Sequence, residues 1–243
     1  MFDLDTEIMT YGTPDTVPEV FQPVRTWEPK NLDVINGIFA DSLAALSTEM
    51  ELKDDDAYGM RRAKELSEEL RKTCRTITKN NYLMVCSNQI RENVGRTSTF
   101  EQKWKTPGGK GVPFYSSLRL KMNKMGTLKR TRKIKGKDHK IIYGVEIEVE
   151  VYKSSIWHPY RTAPLTIDFG YGVDDIRENL KYVKKFYGAT TYNVENIKLA
   201  QGLEDSIALV EEENLQDKLR NEVIDIWEEI EEEFKVERKP KKR

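Results

Sequence analysis

Three rhythms of apolar and polar positions succeed one another along the chain. Asn31 to Leu46, NLDVINGIFADSLAAL, is a largely apolar run interrupted at Asp41-Ser42, the pattern of a buried parallel strand whose carboxyl end delivers a polar residue to a site. From Tyr58 to Thr78 the spacing turns to threes and fours, with Met60, Ala63, Leu66, Leu70 and Cys74 in phase, which predicts a helix. Asn81 to Arg91, NYLMVCSNQIR, is a second apolar strand ending in polar residues. Strand, helix, strand, with both strands continuously apolar, predict an α/β fold whose sheet is covered on both faces. Ligands of such sheets bind beyond the carboxyl ends of the strands, so Asp41 and Gln89 are expected on one functional edge.

Between Glu92 and Gly111 no period survives, and Thr, Ser, Lys, Arg and Gly dominate. An irregular loop of about twenty residues inside a domain is uncommon and points to a functional or disordered segment. VPFYSSLRLKM then returns toward the core as helix or strand. Lys140 to Lys153 alternates apolar with acidic residues, a half-exposed strand, and Pro164 to Gly172 reads as another. Asp174 to Tyr187 and Ile197 to Phe234 carry helical spacing, punctuated by Gly188 and Gly202, so a small helical unit is expected after the sheet. The sequence has no internal repeat.

Composition adds little until charge is mapped. The 243 residues are 33% charged and 38% apolar with a net charge of -1, a globular balance that says nothing of partners. From Lys121 to Lys140, however, nine of twenty residues are Lys or Arg and only Asp138 is acidic, whereas Glu211 to Glu213 and Glu228 to Glu233 are strongly acidic. That asymmetry predicts a basic surface facing a polyanion. Cys74 and Cys86 stand outside any CxxC pattern and give neither a metal site nor a disulfide framework. No run reaches membrane-span length, and the first residues lack a basic start and an apolar core, so a cytoplasmic chain without a membrane partner is expected.

The strand ending in Asp41-Ser42 has the form of a Walker B element, in which a carboxylate orients magnesium through water beside a nucleotide; many sheets also end strands in Asp. Asn88-Gln89-Ile90-Arg91 at the second tip adds an amide suited to sensing a phosphate and a guanidinium suited to gripping one. A Walker A loop needs Gly, four residues, Gly-Lys, then Ser or Thr. Gly109-Lys110 is followed by Gly111 and Gly136-Lys137 by Asp138, so neither supplies the hydroxyl. KTPGGKGVPFYSS is therefore not read as a phosphate loop.

FADSLAAL, SNQIRENVG, PGGKGVPFYSSLRL and IDFGYGV resemble, in order and spacing, segments of RecA-type recombinases, including their bacteriophage versions. The resemblance runs from about Met1 to Lys235 and is strongest from Phe39 to Leu120. It implies a partial RecA-like ATPase core, a mostly parallel sheet flanked by helices, over residues 1–172, a small carboxyl-terminal α-rich domain over 173–235, and a basic tail over 236–243. It further implies that Asp41 is the Walker B carboxylate, holding magnesium through water with Ser42 beside it. Gln89 would be the switch sensing the terminal phosphate of ATP. Arg91 to Lys110 would be the second DNA-binding loop and Ser47 to Tyr58 the first, with Arg61 or Arg62 opening the following helix toward phosphates. Lys153 matches one of two lysines that reach a filament neighbour's ATP, while Ser155 stands where the second belongs.

Family members carry a polymerisation segment, a Walker A loop and a catalytic Glu ahead of the stretch that Met1 to Thr10 resembles. None of the three occurs in these 243 residues. The expectation is the carboxyl-terminal portion of a recombinase, its Walker A-bearing amino-terminal fragment being a separate polypeptide or lost, and unable to hydrolyse ATP alone.

The loop's residue types suit single-stranded DNA on their own account. Arg91, Arg96, Lys103, Lys105 and Lys110 supply counterion-releasing charge. Gly108 and Gly109 allow the backbone close to phosphates. Phe100 and Trp104 either stack on bases without choosing a sequence or make a small hydrophobic contact under the loop. The basic run 121–140 is either a contact for a second, duplex DNA or a solvated hairpin. Two functions follow: one part of an ATP-dependent strand-exchange protein, or a non-catalytic DNA-binding or filament-modulating remnant.

Overall fold

The computed structural model describes residues 10–48, 59–92, 104–235 and 238. They divide into two compact units, one drawn from 5–119 with 153–158, the other from 120–152 with 159–243.

In the first unit, helix α1 (Val17–Thr26) begins where the Glu19 carboxylate turns back to accept from the backbone of Asp15 and Thr16, with Pro18 in a first turn that needs no donor there. It buries Val17, Phe21 and Val24. Strand β1 (Asn36–Ala40) and β2 (Tyr82–Cys86) pair in parallel, from Asn36 with Tyr82 to Ala40 with Cys86. Between them runs α2 (Gly59–Lys79), within a residue of the span predicted from spacing. Leu66 of α2 joins Val17, Phe21, Leu43, Leu46 and Val112 in one core, with Leu70, Met84 and Cys86 packed against it.

That core touches one face of the β1–β2 pair. Alternate residues along the strands are inward and outward, leaving Phe39 71%, Leu83 51% and Val85 47% exposed. The expected cover on both faces is therefore not found among the described residues. Apolar side chains on both faces conceal the period of two.

The irregular loop has an ordered stem: β3 (Arg91–Glu92) pairs antiparallel with β4 (Trp104–Lys105). A tight turn then leads to the short helix α3 (Gly111–Tyr115), so VPFYSSLRLKM is helix first and strand afterwards.

The second unit is built on a four-stranded sheet in the order β5-β6-β7-β8, with β5 Leu118–Ile134, β6 Lys137–Ser154, β7 Thr162–Asp168 and β8 Gly172–Val173. The turn between β5 and β6 is Lys135-Gly136, both at positive φ, as a two-residue hairpin demands. Helix α4 (Asp175–Tyr187) is capped by Asp174, whose carboxylate accepts from the Arg177 backbone at 3.0 Å. The predicted helical run Ile197 to Phe234 is broken: Ile197–Lys198 (β10) pairs with Asn193–Val194 (β9), followed by α5 (Leu203–Glu212) and α6 (Gln216–Glu233). Asn214, at φ 54, separates the last two. Ile176, Leu180, Val183, Val194, Val210, Leu219 and Ile226 form their core. The whole is a mixed α/β fold.

Candidate functional site

The carboxyl ends of β1 and β2 lie side by side because the strands are parallel and in register. Ser87 N–H donates to the Ala40 carbonyl at 3.0 Å, and Leu43 N–H to that of Ser87 at 3.1 Å. Asp41 sits between, exposed, and accepts from the Ser87 hydroxyl. Ser42 precedes a single 3-10 turn, Leu43–Ala45, that buries Leu43 and Ala44. The chain thus leaves the strand tip at once and holds Asp41 outward.

Two residues beyond Ser87, Gln89 is exposed. Its placement comes from Asn88, whose carbonyl oxygen accepts from the Gln89 N–H at 3.0 Å while its amide donates to the Pro107 carbonyl at 3.1 Å. One side chain therefore ties the strand tip to the far end of the loop. The β3–β4 ladder, Arg91 opposite Lys105 and Glu92 opposite Trp104, closes the loop above that tie. Thr106 is held in turn by the Arg119 guanidinium at 2.8 Å. Asn88, Ser87 and Arg119 are the positioning residues that sequence reasoning misses; only the polar character of Ser87-Asn88 straight after an apolar strand hints at them.

Gly108 and Gly109 pack the turn against α2. Both have positive φ, and a Cβ on Gly108 would meet Leu66 Cδ2 at 2.6 Å, one on Gly109 the Cβ of Ala63 at 2.9 Å, and one on Gly111 the Ser67 side chain at 2.7 Å. The glycines let the turn lie flat on α2. Lys110, at its outer corner, is exposed.

Two expected anion ligands are engaged with backbone. Arg62 Nη1 donates to the carbonyls of Ala44 at 3.2 Å and Leu46 at 3.4 Å, pinning α2 to the segment after β1. Lys153 Nζ donates to the carbonyls of Pro113 at 2.7 Å, Phe114 at 3.3 Å and Ser116 at 2.6 Å. Arg61 and Arg91 are exposed. Arg96, Phe100 and Lys103, the first-loop residues 49–58 and most of the basic tail lie outside the described residues, as does the Lys105 side chain.

Burial pushes the Cys86 thiol up to about 11, which removes a thiolate nucleophile from the strand tip. Among the described residues no group of three or more His, Cys, Asp or Glu side chains forms a metal cage. A lone exposed carboxylate with a hydroxyl beside it fits a hydrated magnesium ion, which keeps most of its waters and leans on substrate phosphates. No helix among the described residues is long and apolar enough to cross a membrane.

This edge, a carboxylate at one parallel strand tip, an amide just past the next and a closed polar loop above both, belongs to a chain whose residues 12–174 match the family profile described as RecA N-terminal domain. The chain belongs to the RecA family. It is 31% identical to Protein RecA of Bacillus velezensis over 220 residues, 82% of this chain and 60% of that protein. Against Protein RecA of Thermus thermophilus it is 28% identical over 228 residues, 90% of this chain and 63% of that one. With Protein RecA of Bacillus subtilis the figures are 32% over 183 residues, 72% and 49%. The chain thus spans between about half and three fifths of the length of these RecA relatives.

Proposed function

We propose that the chain is the single-stranded-DNA-binding part of an ATP-dependent strand-exchange recombinase, acting with a Walker A-bearing polypeptide in a filament. The observation that carries this reading is the continuity of the edge: Asp41 bonds Ser87, Ser87 leads to Asn88-Gln89, and Asn88 fastens the closed end of the loop. A change at a nucleotide beside Asp41 has a short covalent and hydrogen-bonded route to DNA-facing residues.

In this reading Asp41, with Ser42 at its side, holds magnesium through water, and the ion neutralises charge on the ATP phosphates. Gln89 faces the terminal phosphate and biases the loop. Arg61, Arg91, Lys110, Trp104 and the loop cations grip the single strand. By linkage, DNA then raises nucleotide affinity by the factor by which nucleotide raises DNA affinity. Lys153 reaches a neighbour's ATP only after releasing the α3 carbonyls. Residues 1–172, 173–235 and 236–243 act as core portion, helical domain and basic tail.

The test is to mix the chain with a Walker A-bearing amino-terminal fragment of a RecA protein and measure ATP hydrolysis with and without single-stranded DNA. DNA-stimulated hydrolysis in the mixture alone is the expected result. Silence in the mixture, with DNA binding by the chain retained, selects the non-catalytic remnant instead.

A further inference from the structure

Helix α6 carries more apolar surface than its own core takes up. Leu219, Glu222 and Ile226 are buried on its inner side, with Val223 and Ile230 half-buried beside them. Past that edge, at spacings of three and seven, stand Ile224, Trp227 and Phe234, exposed by 44%, 44% and 83%. Turning by about 100° per residue sets these three and Glu231 on one stripe, roughly 15 Å long. Its central ring is held in place: the Arg161 guanidinium lies over the Trp227 indole, 5.3 Å from the ring centre. The same guanidinium grips both carboxylate oxygens of Glu231 at 2.7 Å. Beyond the stripe, on the side opposite the core, the exposed acids Asp217, Asp225, Glu228 and Glu232 follow at helical spacing. Among the described residues, Asp217, Asp225 and Glu228 form no ion pair.

We propose that this stripe is the docking face for a cationic amphipathic helix of a partner protein, its apolar residues laid along Ile224, Trp227 and Phe234 and its Lys or Arg side chains set against the acid row. Spacings of three and four are the seam by which helices pair, and helical partners are read through such anchors. Trp227, fixed in advance by Arg161, loses little freedom when it is covered, and Trp is among the side chains that concentrate binding energy. Charge selects the occupant. Nucleic acid and anionic lipid are repelled by the acids, and a second copy would bring the same carboxylates to the contact, where like charges oppose pairing. No residue of the nucleotide edge or of the loop takes part.

The experiment titrates the full chain into two fluorescent helical peptides of about 18 residues at roughly 100 mM KCl. One peptide has Leu at the seam positions and Lys elsewhere; the other has Leu and Glu. Only the Leu/Lys peptide should bind. Ile224→Ser/Phe234→Ser, at exposed positions that the fold does not need, should weaken it at least about tenfold. Asp225→Lys/Glu228→Lys/Glu232→Lys should turn the preference to the Leu/Glu peptide. Glu211→Lys/Glu212→Lys, at the end of α5, should leave binding within about twofold. Circular dichroism checks that each variant keeps the native helix content. No binding of the Leu/Lys peptide at about 100 μM, equal binding to the Ser variant, or an equal loss in the α5 variant would overturn the face. So would a dimer of the chain alone that the Ser variant dissociates, which would make a second copy the occupant. A peptide affinity that rises about tenfold on removal of Lys239 to Arg243 would overturn it too, the occupant then being the chain's own tail.

Discussion

Lys153 Nζ lies 2.6 Å from the Ser116 carbonyl and gathers those of Pro113 and Phe114 as well. A strand lysine thus closes the carboxyl end of α3, where carbonyls lack partners and a cation is favoured. Lys153→Met should lower stability by about 1.5–3 kcal/mol, the scale of charged hydrogen bonds, read from urea unfolding. A loss below about 0.5 kcal/mol, typical of an exposed lysine, would mean that these bonds are not kept in solution.

Gly108→Val should destabilise by about 2–5 kcal/mol, combining overpacking with strain at positive φ, because its new atoms meet Leu66 at 2.6 Å. Leu66→Ala in the same chain should relieve part of that loss, with a coupling of about 1 kcal/mol or more. Strict additivity would show that the two do not touch. Gly136→Ala, at φ +81 in open space, should show only the backbone share, about 1–2 kcal/mol.

Arg25 and Glu69 set an acid limit on the first unit. Burial pushes the Glu69 carboxyl up, but hydrogen bonds and charge from Arg25, at 2.5 Å, and from Lys72 outweigh it and hold the group below its ordinary 4.5. A carboxyl lowered by folding stabilises fully above its unfolded value, about 4.3, and the contribution disappears as pH falls through the folded value. Urea midpoints should therefore drop from pH 5 to pH 3 more steeply in the native chain than in Arg25→Met. Parallel drops would remove the pair from the account.

In the assembled protein, the proposed function expects Asp41→Asn to abolish DNA-stimulated ATP hydrolysis while leaving single-strand affinity without nucleotide within about threefold, since it puts the carboxylate on the nucleotide edge. Gln89→Ala should bind DNA with an affinity indifferent to ATP. A preserved ATP response would take the switch role away from Gln89.

What residue order reveals here is whatever depends on neighbours in sequence. Leu66 and Leu70 recur at helical spacing, which places α2 within a residue, and the polar residues after two apolar runs mark Asp41 and Gln89. Asn31 to Leu46 looks like one strand because two burials adjoin: the five residues of β1, then Leu43 and Ala44 under a 3-10 turn. Helix α1 escapes the apolar pattern although Thr16, Pro18 and Glu19 spell a helix start. Pairings between distant residues are out of its reach. Nothing near Gly108 tells that Leu66 lies against it, and nothing near Arg62 or Lys153 tells that backbone carbonyls claim them.

Phe39, Leu83 and Val85 form an apolar face that water does not tolerate cheaply. In a cell, a chain that keeps that face open to solvent is one that chaperones hold and proteases remove. Pulse–chase labelling should show that Leu83→Thr/Val85→Thr lengthens its half-life.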